Sequence, residues 1–317
     1  MKKYFPENYL IATQENKNIL LSKASLKEAY YSGKILEARA TVCDKDHNLH
    51  VDLGVMKGII PRDEGAIGIS DGSVRDIAII SRVNKPVVCR IIDFKTDENG
   101  EVYAVLSRKS VQEDCMRDYI STLTPGCVID AVVTHMESFG VFADIGAGIS
   151  ALMPIDSISV SRIPHPSARF TPGQKIKAVV KGVDAEGRIT LSYKELLGTW
   201  EENAALFKAG ETVPGIVRSV ERYGIFVELK PNLAGLAEYV PGVVPGQHAS
   251  VYIKNLIPER MKIKLIIVDS FDAEYPNETV TYYNDGDFID KWVYSPESCS
   301  KKIETVFSSY ELTQDVI

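Results

Sequence analysis

The sequence predicts a mainly β protein: three tandem five-stranded barrels joined by short helices, followed by a small C-terminal α/β appendage. Three observations lead there. Residues 125–154 and 209–238 align without a gap at a constant offset of 84, so that Gly126 meets Gly210 and Phe139-Gly140-Val141-Phe142 meets Tyr223-Gly224-Ile225-Phe226. The second halves correspond at an offset of 73–74, from Pro172 and from Pro245, so about ten residues are missing inside the third copy. Within each copy, short alternating stretches such as VFADI and RITLS are separated by turn residues, which is the period of half-buried strands.

In chain order, residues 1–31 form an N-terminal segment with a short helix. The helical pattern runs over 21–33, with Ser22 or Ser25 as cap and Gly33 as stop. Residues 32–111 read as a degenerate first copy, in which His47 and His50 take the two aromatic places and Leu106-Ser107 matches Leu191-Ser192. A second helical piece covers 111–122. Copy two spans 124–194, with strands at about 127–136, 139–145, 149–154, 174–183 and 187–192. A helical linker, 195–208, belongs to a pattern over 193–210 that sets Leu196, Leu197, Trp200, Ala204 and Leu206-Phe207 broadly on one side and ends at Gly210; Trp200 is expected to be a packing anchor. The shortened third copy spans 209–268. The acidic appendage, 269–317, reads as a hairpin turning at Asp285-Gly286 and a terminal helix over 301–314; Tyr282, Tyr283, Trp292 and Tyr294 make it too aromatic for disorder.

A five-stranded sheet of this size cannot bury a flat face, and closing it also removes its edges. Gly140 and Gly224 fall inside strand patterns, where a bulge or sharp coil is the expected reason.

Composition narrows the function. Apolar residues are 45% and charged residues 25%, as in ordinary globular chains, and no apolar run is long enough for a membrane span. The N-terminus lacks a signal-peptide pattern, and the five cysteines are widely spaced without a C-x-x-C pair, so a cytoplasmic setting is expected. The net charge of −7 disfavours nucleic acid at first sight, but it sits in the tail: from Asp269 onward there are 11 acidic and 3 basic residues, which leaves residues 1–268 at about +1. None of the common motifs for metal hydrolysis, phosphate loops, dinucleotides or nucleophile elbows occurs, so neither an enzyme nor a cofactor is expected. The Gly146–Ser150 stretch reads as a structural turn. Asp44, Asp46, His47 and His50 read as turn residues rather than a metal site.

The repeats resemble the S1 RNA-binding domain family. The resemblance rests on the opening glycine, the F/Y-G-x-F centre, Gly235-Leu236, the Pro-Gly at 172–173 and 245–246, and the closing Arg188-Ile189-Thr190-Leu191-Ser192; it covers about 32–268. It implies oligonucleotide-binding (OB-fold) barrels in which single-stranded RNA crosses the second and third strands, against exposed aromatics and nearby cations. Carried onto this chain, it points to Phe139, Phe142 and Arg188 in copy two, with Lys177 and Lys181 extending the path. In copy three it points to Tyr223, Phe226 and Lys262, with Arg218 and Arg222. The family's histidine after the Gly-Leu turn is replaced by Pro154 and Glu238; in copy one, Asn48 replaces the glycine and Tyr103 stands where Arg188 would. Strict alternation puts positions 139 and 142 on opposite faces, so both rings reach solvent only if the chain bends at the glycine. The implied partner is single-stranded RNA, in particular mRNA at or near the small ribosomal subunit, with 32–111 or 269–317 available to the ribosome or another protein. The alternative is a non-enzymatic protein-docking or ribosome-associated scaffold whose barrels bind protein, and a third reading is a regulator whose acidic tail covers its own RNA face.

Overall fold

Alternation of apolar residues builds three closed barrels in the computed structural model, which describes residues 4–274, 280–284 and 286–307. The chain divides into two compact units. One is Met1–Leu123 with Asp130–Val132 and Asp144–Ser150; the other is Thr124–Ile129, Val133–Ala143 and Ala151–Ile317.

The first unit opens with α1 (Gln14–Ile19) and α2 (Lys23–Ser32). The Ser22 hydroxyl accepts the Ser25 N–H at the start of α2, and Gly33, at φ 61°, ends it. Barrel one follows as β1 (Ile35–Cys43), β2 (Leu49–Asp52), β3 (Lys57–Ile60), β4 (Pro86–Thr96) and β5 (Val102–Ser107), closed in the order β1-β2-β3-β5-β4 with only β3–β5 parallel. Leu36, Ala38, Leu49, Val51, Ile60, Cys89, Ile91 and Leu106 fill it. The β3–β4 connection carries α3 (Ile77–Ile80), and α4 (Lys109–Asp118) follows β5. Glu7 is buried beneath this barrel, its carboxylate accepting from Arg108 Nε at 2.7 Å and Arg82 Nη1 at 2.8 Å. The 146–150 turn is structural, as expected: a Cβ on Gly148 would stand 1.7 Å from Arg108 Nη2.

The second unit holds most of barrel two and all of barrel three. Barrel two comprises β6 (Val128–Glu137), β7 (Gly140–Asp144), β8 (Ser150–Pro154), β9 (Lys175–Val183) and β10 (Ile189–Ser192), in the order β10-β8-β7-β6-β9. Barrel three comprises β11 (Thr212–Glu221), β12 (Gly224–Lys230), β13 (Leu233–Ala237), β14 (His248–Ile257) and β15 (Lys262–Phe271), in the order β11-β12-β13-β15-β14. It has the same topology, with β13–β15 parallel.

Three expectations are corrected. The 193–210 helix is two fragments, a 3₁₀ turn at Lys194–Leu196 and α5 (Trp200–Ala204). Gly198 breaks it at φ 80°, a conformation open to glycine, with a Tyr283 ring carbon 2.8 Å from where its Cβ would be. A Thr199–Glu202 capping box restarts the helix, and Trp200 is buried as an anchor. Gly224 is no bulge, since it pairs in register with Glu221, and Gly140 stands at the equivalent place of barrel two. Each lets its strand approach the next, since a Cβ would meet the Met153 or Ala237 carbonyl oxygen at 2.5 Å. In the appendage, residues 304–306 are strand rather than helix: β16 (Lys291–Val293) pairs with β17 (Glu304–Val306), and the Phe307 N–H continues the ladder to the Asp290 carbonyl at 2.9 Å. Asp285 of the predicted turn and residues 308–317 of the predicted helix lie outside the described residues. Among the described residues, no helix is long and apolar enough to cross a membrane.

Candidate nucleic-acid interface

The local chain path decides which rings face water. In β7, Val141 and Ala143 point into barrel two and Phe142 points out. Phe139 precedes the strand, in the turn, where its carbonyl accepts the Ile155 N–H at 2.9 Å; being outside the ladder, it escapes alternation. The two rings stand perpendicular, at 89° with centroids 6.1 Å apart, and Phe139 is 55% exposed. Barrel three repeats the arrangement with Tyr223 and Phe226, at 85° and 6.2 Å, Tyr223 being 70% exposed. Both predicted pairs are therefore brought together on the outer surface, each edge-to-face as aromatic quadrupoles favour.

What flanks the rings differs between barrels. In barrel three, strand pairing lines up Ser219, Phe226, Leu236 and Lys264 as one row across β11, β12, β13 and β15. The repeat offset carries Ser219 onto His135, an exposed residue that sequence reading overlooked. Its imidazole lies flat on Phe142, with centroids 4.7 Å apart and planes 7° off parallel, and its Nε2 is 3.4 Å from Glu137 Oε1. Barrel two thus presents three aromatic rings where barrel three presents two. Lys264 was also overlooked, although its spacing of two from Lys262 puts both on one strand face.

The predicted cations part company. Arg188 is exposed, but its Nε donates to Asp184 Oδ2 and its Nη2 to Glu186 Oε2, both at 2.6 Å; these contacts hold the guanidinium above, and the Asp184 carboxyl below, their ordinary ranges. Lys181 Nζ is tethered to Ser157 Oγ at 3.0 Å, and the Lys177 backbone N–H donates to Tyr282 Oη at 3.1 Å, which puts that stretch of β9 against the appendage. Arg218 is a correction. The register slips between Val217 and Ser219, and this bulge turns Arg218 toward Glu228. Its Nε and Nη2 donate to the two oxygens of that buried carboxylate, both at 2.9 Å. Arg169 holds the same carboxylate from the other side. Arg218 is a structural residue, not a phosphate ligand. Arg222, Lys262 and Lys264 are exposed and have no ion-pair partner among the described residues. Glu238 is exposed beyond β13, followed by Tyr239, a further exposed ring.

Barrel one has no such platform. Its equivalent row is Val42, His50, Ile59 and Val105, and the two histidines are occupied: His50 Nε2 lies 3.2 Å from Asp44 Oδ2, and His47 Nδ1 lies 3.7 Å from Asp76 Oδ2. Asp44 Oδ1 accepts the Asp46 and Asn48 N–H groups, so the cluster organises the β1–β2 turn.

Flat exposed rings accept bases by stacking and free cations accept phosphates, so the barrel two and three faces have the chemistry of a single-strand platform. Comparison with known proteins agrees. Residues 122–194 match the model of the S1 RNA binding domain. The chain is 30% identical over 300 residues to a small ribosomal subunit protein bS1 homolog of Bacillus cereus, covering 86% of this chain and 75% of that protein. It is 31% identical over 276 residues to small ribosomal subunit protein bS1 of Staphylococcus aureus, covering 82% and 66%. Among solved structures, a multidomain protein with nucleic acid binding domains from Streptococcus pneumoniae covers 77% of the chain and 76% of its own at 15% identity, with a TM-score of 0.24, too low to carry an argument. With three barrels of OB topology, a matching domain model and relatives alike over most of its length, the chain belongs to the S1 RNA-binding family and resembles bacterial ribosomal protein bS1.

Proposed function

We propose that the protein binds single-stranded RNA through barrels two and three, without catalysis, and that it serves translation by holding mRNA at or near the small ribosomal subunit. The observation that carries the reading is the exposed perpendicular ring pair recurring at one offset, Phe139–Phe142 and Tyr223–Phe226. Unstacked bases lie on such rings at about 1–3 kcal/mol each, whatever their sequence. Paired bases offer no free face, so duplex is disfavoured. The place in translation is supported by the relatives' being small-subunit ribosomal proteins. Five free cysteines suit action in the cytoplasm. Binding without chemistry is supported by the lack of nucleophile or phosphate-loop motifs in the sequence.

For barrel one we propose protein docking instead, because its histidines are engaged by Asp44 and Asp76 and, among the described residues, its β1–β2–β3 face carries no ring pair equivalent to those of barrels two and three. The test is a titration of the full chain with labelled single-stranded RNA and with the same sequence as duplex. Single strand should bind, with an affinity that falls linearly against salt on a logarithmic plot. Equal binding of duplex, or no binding at low salt, refutes the reading.

A further inference from the structure

The β14–β15 hairpin of barrel three and the β9–β10 hairpin of barrel two carry equal charge, four basic and two acidic residues each, but differ in how those charges are engaged. Barrel two's hairpin carries Lys175, Lys177, Lys181 and Arg188 against Asp184 and Glu186, and the two carboxylates close on the guanidinium at 2.6 Å each, while Lys181 Nζ is held by Ser157 Oγ at 3.0 Å. Arg188 is neutralised from within the turn. Barrel three's hairpin carries Lys254, Arg260, Lys262 and Lys264, all exposed and without an ion-pair partner among the described residues, against Glu259 and Asp269. Pairing places Asn255 opposite Lys264 and Ile257 opposite Lys262, so the cations ride on the hairpin's arms and tip. The tract joins the rings directly: Lys264 pairs with Leu236, which pairs with Phe226. Two strand spacings, about 10 Å, separate Lys264 from the ring's own strand, a gap that a lysine side chain and one nucleotide together span. At the equivalent place in barrel two stands Thr190, paired with Leu152. Exposed acids near the tract are Glu238 after β13 and Asp269 farther along β15; neither has an ion-pair partner among the described residues, and neither lies between Lys264 and Phe226 in the row.

Resting on the RNA-binding reading above, we propose a division of labour. Barrel three's β14–β15 hairpin grips the RNA backbone through Lys254, Arg260, Lys262 and Lys264 and supplies most of the salt-dependent affinity. Barrel two, its arginine self-neutralised, contributes a stacking platform of Phe139, Phe142 and His135. The ligand is the sugar–phosphate backbone of an unpaired strand, read without base preference. The structure thus makes the shortened third copy, whose Glu238 sits beside the path, the stronger electrostatic site.

The test uses the full chain and a fluorescein-labelled oligouridylate of about twelve nucleotides, within the span of one or two such barrels. Lys262→Ala/Lys264→Ala should weaken binding at least about tenfold at low salt and flatten the log–log salt slope by about 1.4, two phosphate contacts' worth for a single strand. Arg188→Ala should change affinity by less than about twofold, because its charge is already compensated. Asp184→Asn/Glu186→Gln, which releases Arg188, should strengthen binding a few-fold and steepen the slope by about 0.7. His135→Ala should weaken binding without altering the slope. The substituted lysines are exposed, and unchanged fluorescence of buried Trp200 and Trp292 will certify the fold of their unit. A loss on Arg188→Ala that equals or exceeds that of the lysine pair overturns the division of labour while leaving RNA binding intact. An unchanged salt slope in the lysine variant overturns it too. Failure of the unaltered chain to bind overturns both.

Discussion

Arg218 offers the sharpest test of the reasoning, because sequence and structure give it opposite roles. Read from the repeat, it lines an RNA path; in the fold it is 11% exposed and clamped on Glu228, which is 5% exposed. Arg218→Ala removes two charge-assisted hydrogen bonds of 2.9 Å. Complete loss of a partner from a buried pair costs about 3–5 kcal/mol. Here Arg169 stays on the carboxylate, so about 2–3 kcal/mol is expected. With a urea dependence of about 2 kcal/mol per molar, the unfolding midpoint should fall by about 1 M. The assay reads the right part of the molecule, since both tryptophans, Trp200 and Trp292, are buried in the unit that contains the pair. Glu228→Gln leaves two buried arginines without a full counter-charge and should cost more, about 3–5 kcal/mol. RNA affinity of the Arg218→Ala protein, measured well below its new midpoint, should match that of the unaltered chain. Arg222→Ala should do the reverse, leaving the midpoint alone and lowering the salt slope by about 0.7. A midpoint that stays put in Arg218→Ala while RNA binding weakens would refute the assignment.

Phe139→Ala and Tyr223→Ala should each reduce RNA affinity by about 5- to 150-fold, the equivalent of about 1–3 kcal/mol of stacking, with little change in melting temperature; fluorescence anisotropy beside calorimetry separates the two effects. Glu37 is buried and accepts the Asn8 and Ile11 N–H groups, and burial outweighs these bonds to hold its carboxyl above the usual range. A raised carboxyl costs nothing below its unfolded-state value and subtracts stability as pH climbs through its folded-state value. Glu37→Gln should therefore protect β1 amides from hydrogen exchange more at alkaline than at acid pH, and a gain independent of pH contradicts the assignment. Of the cysteines, only half-exposed Cys43 and Cys127 should react quickly with a thiol reagent under native conditions. Burial pushes the Cys115 thiol up to about 12 and raises Cys89 as well, so rapid modification of either would show that the barrel-one unit opens.

The inward half of this fold was legible and the outward half only in part, for a physical reason. Core positions obey a period of two, so VFADI in barrel two and its partners in barrel three reveal both strand and facing, and the observed β6–β10 lie within about two residues of their expected bounds. The 84-residue repeat then transfers one barrel's register to the next. Helix 193–210 misled because its apolar spacing is helical while Gly198 must take a left-handed φ against Tyr283, a contact from 85 positions along the chain, and no local pattern announces it. Arg218 misled because a bulge inverts facing for one residue, and the sequence of β11 carries no mark of it. Arg188 was expected at the head of the last strand, beside the turn, and its pairing with Asp184 and Glu186 depends on the turn's closure. His135 was open to discovery: counted back four from Phe139 along the copy, it is the position that Ser219 fills beside Phe226.

One scaffold carries three unequal faces because barrel closure constrains only the residues that point in. The outward rows are Val42–His50–Ile59–Val105 in barrel one and Ser219–Phe226–Leu236–Lys264 in barrel three. Between them, barrel two offers His135 stacked on Phe142 and Leu152 paired with Thr190. Apart from Val105, which is buried in barrel one, these positions can change without disturbing a core layer, so stacking area and charge vary largely independently of stability. Tethering makes such unequal faces useful. If RNA binds as proposed, a strand held electrostatically by barrel three's lysines would meet barrel two's ring platform at a high effective concentration, and two modest contacts would combine into a firm one. Salt should then weaken the electrostatic hold and the linked stacking together. Substituting a barrel-two ring should lower affinity at every ionic strength while leaving the slope unchanged, and a ring substitution that alters the slope would mean that the platform touches phosphate as well as bases.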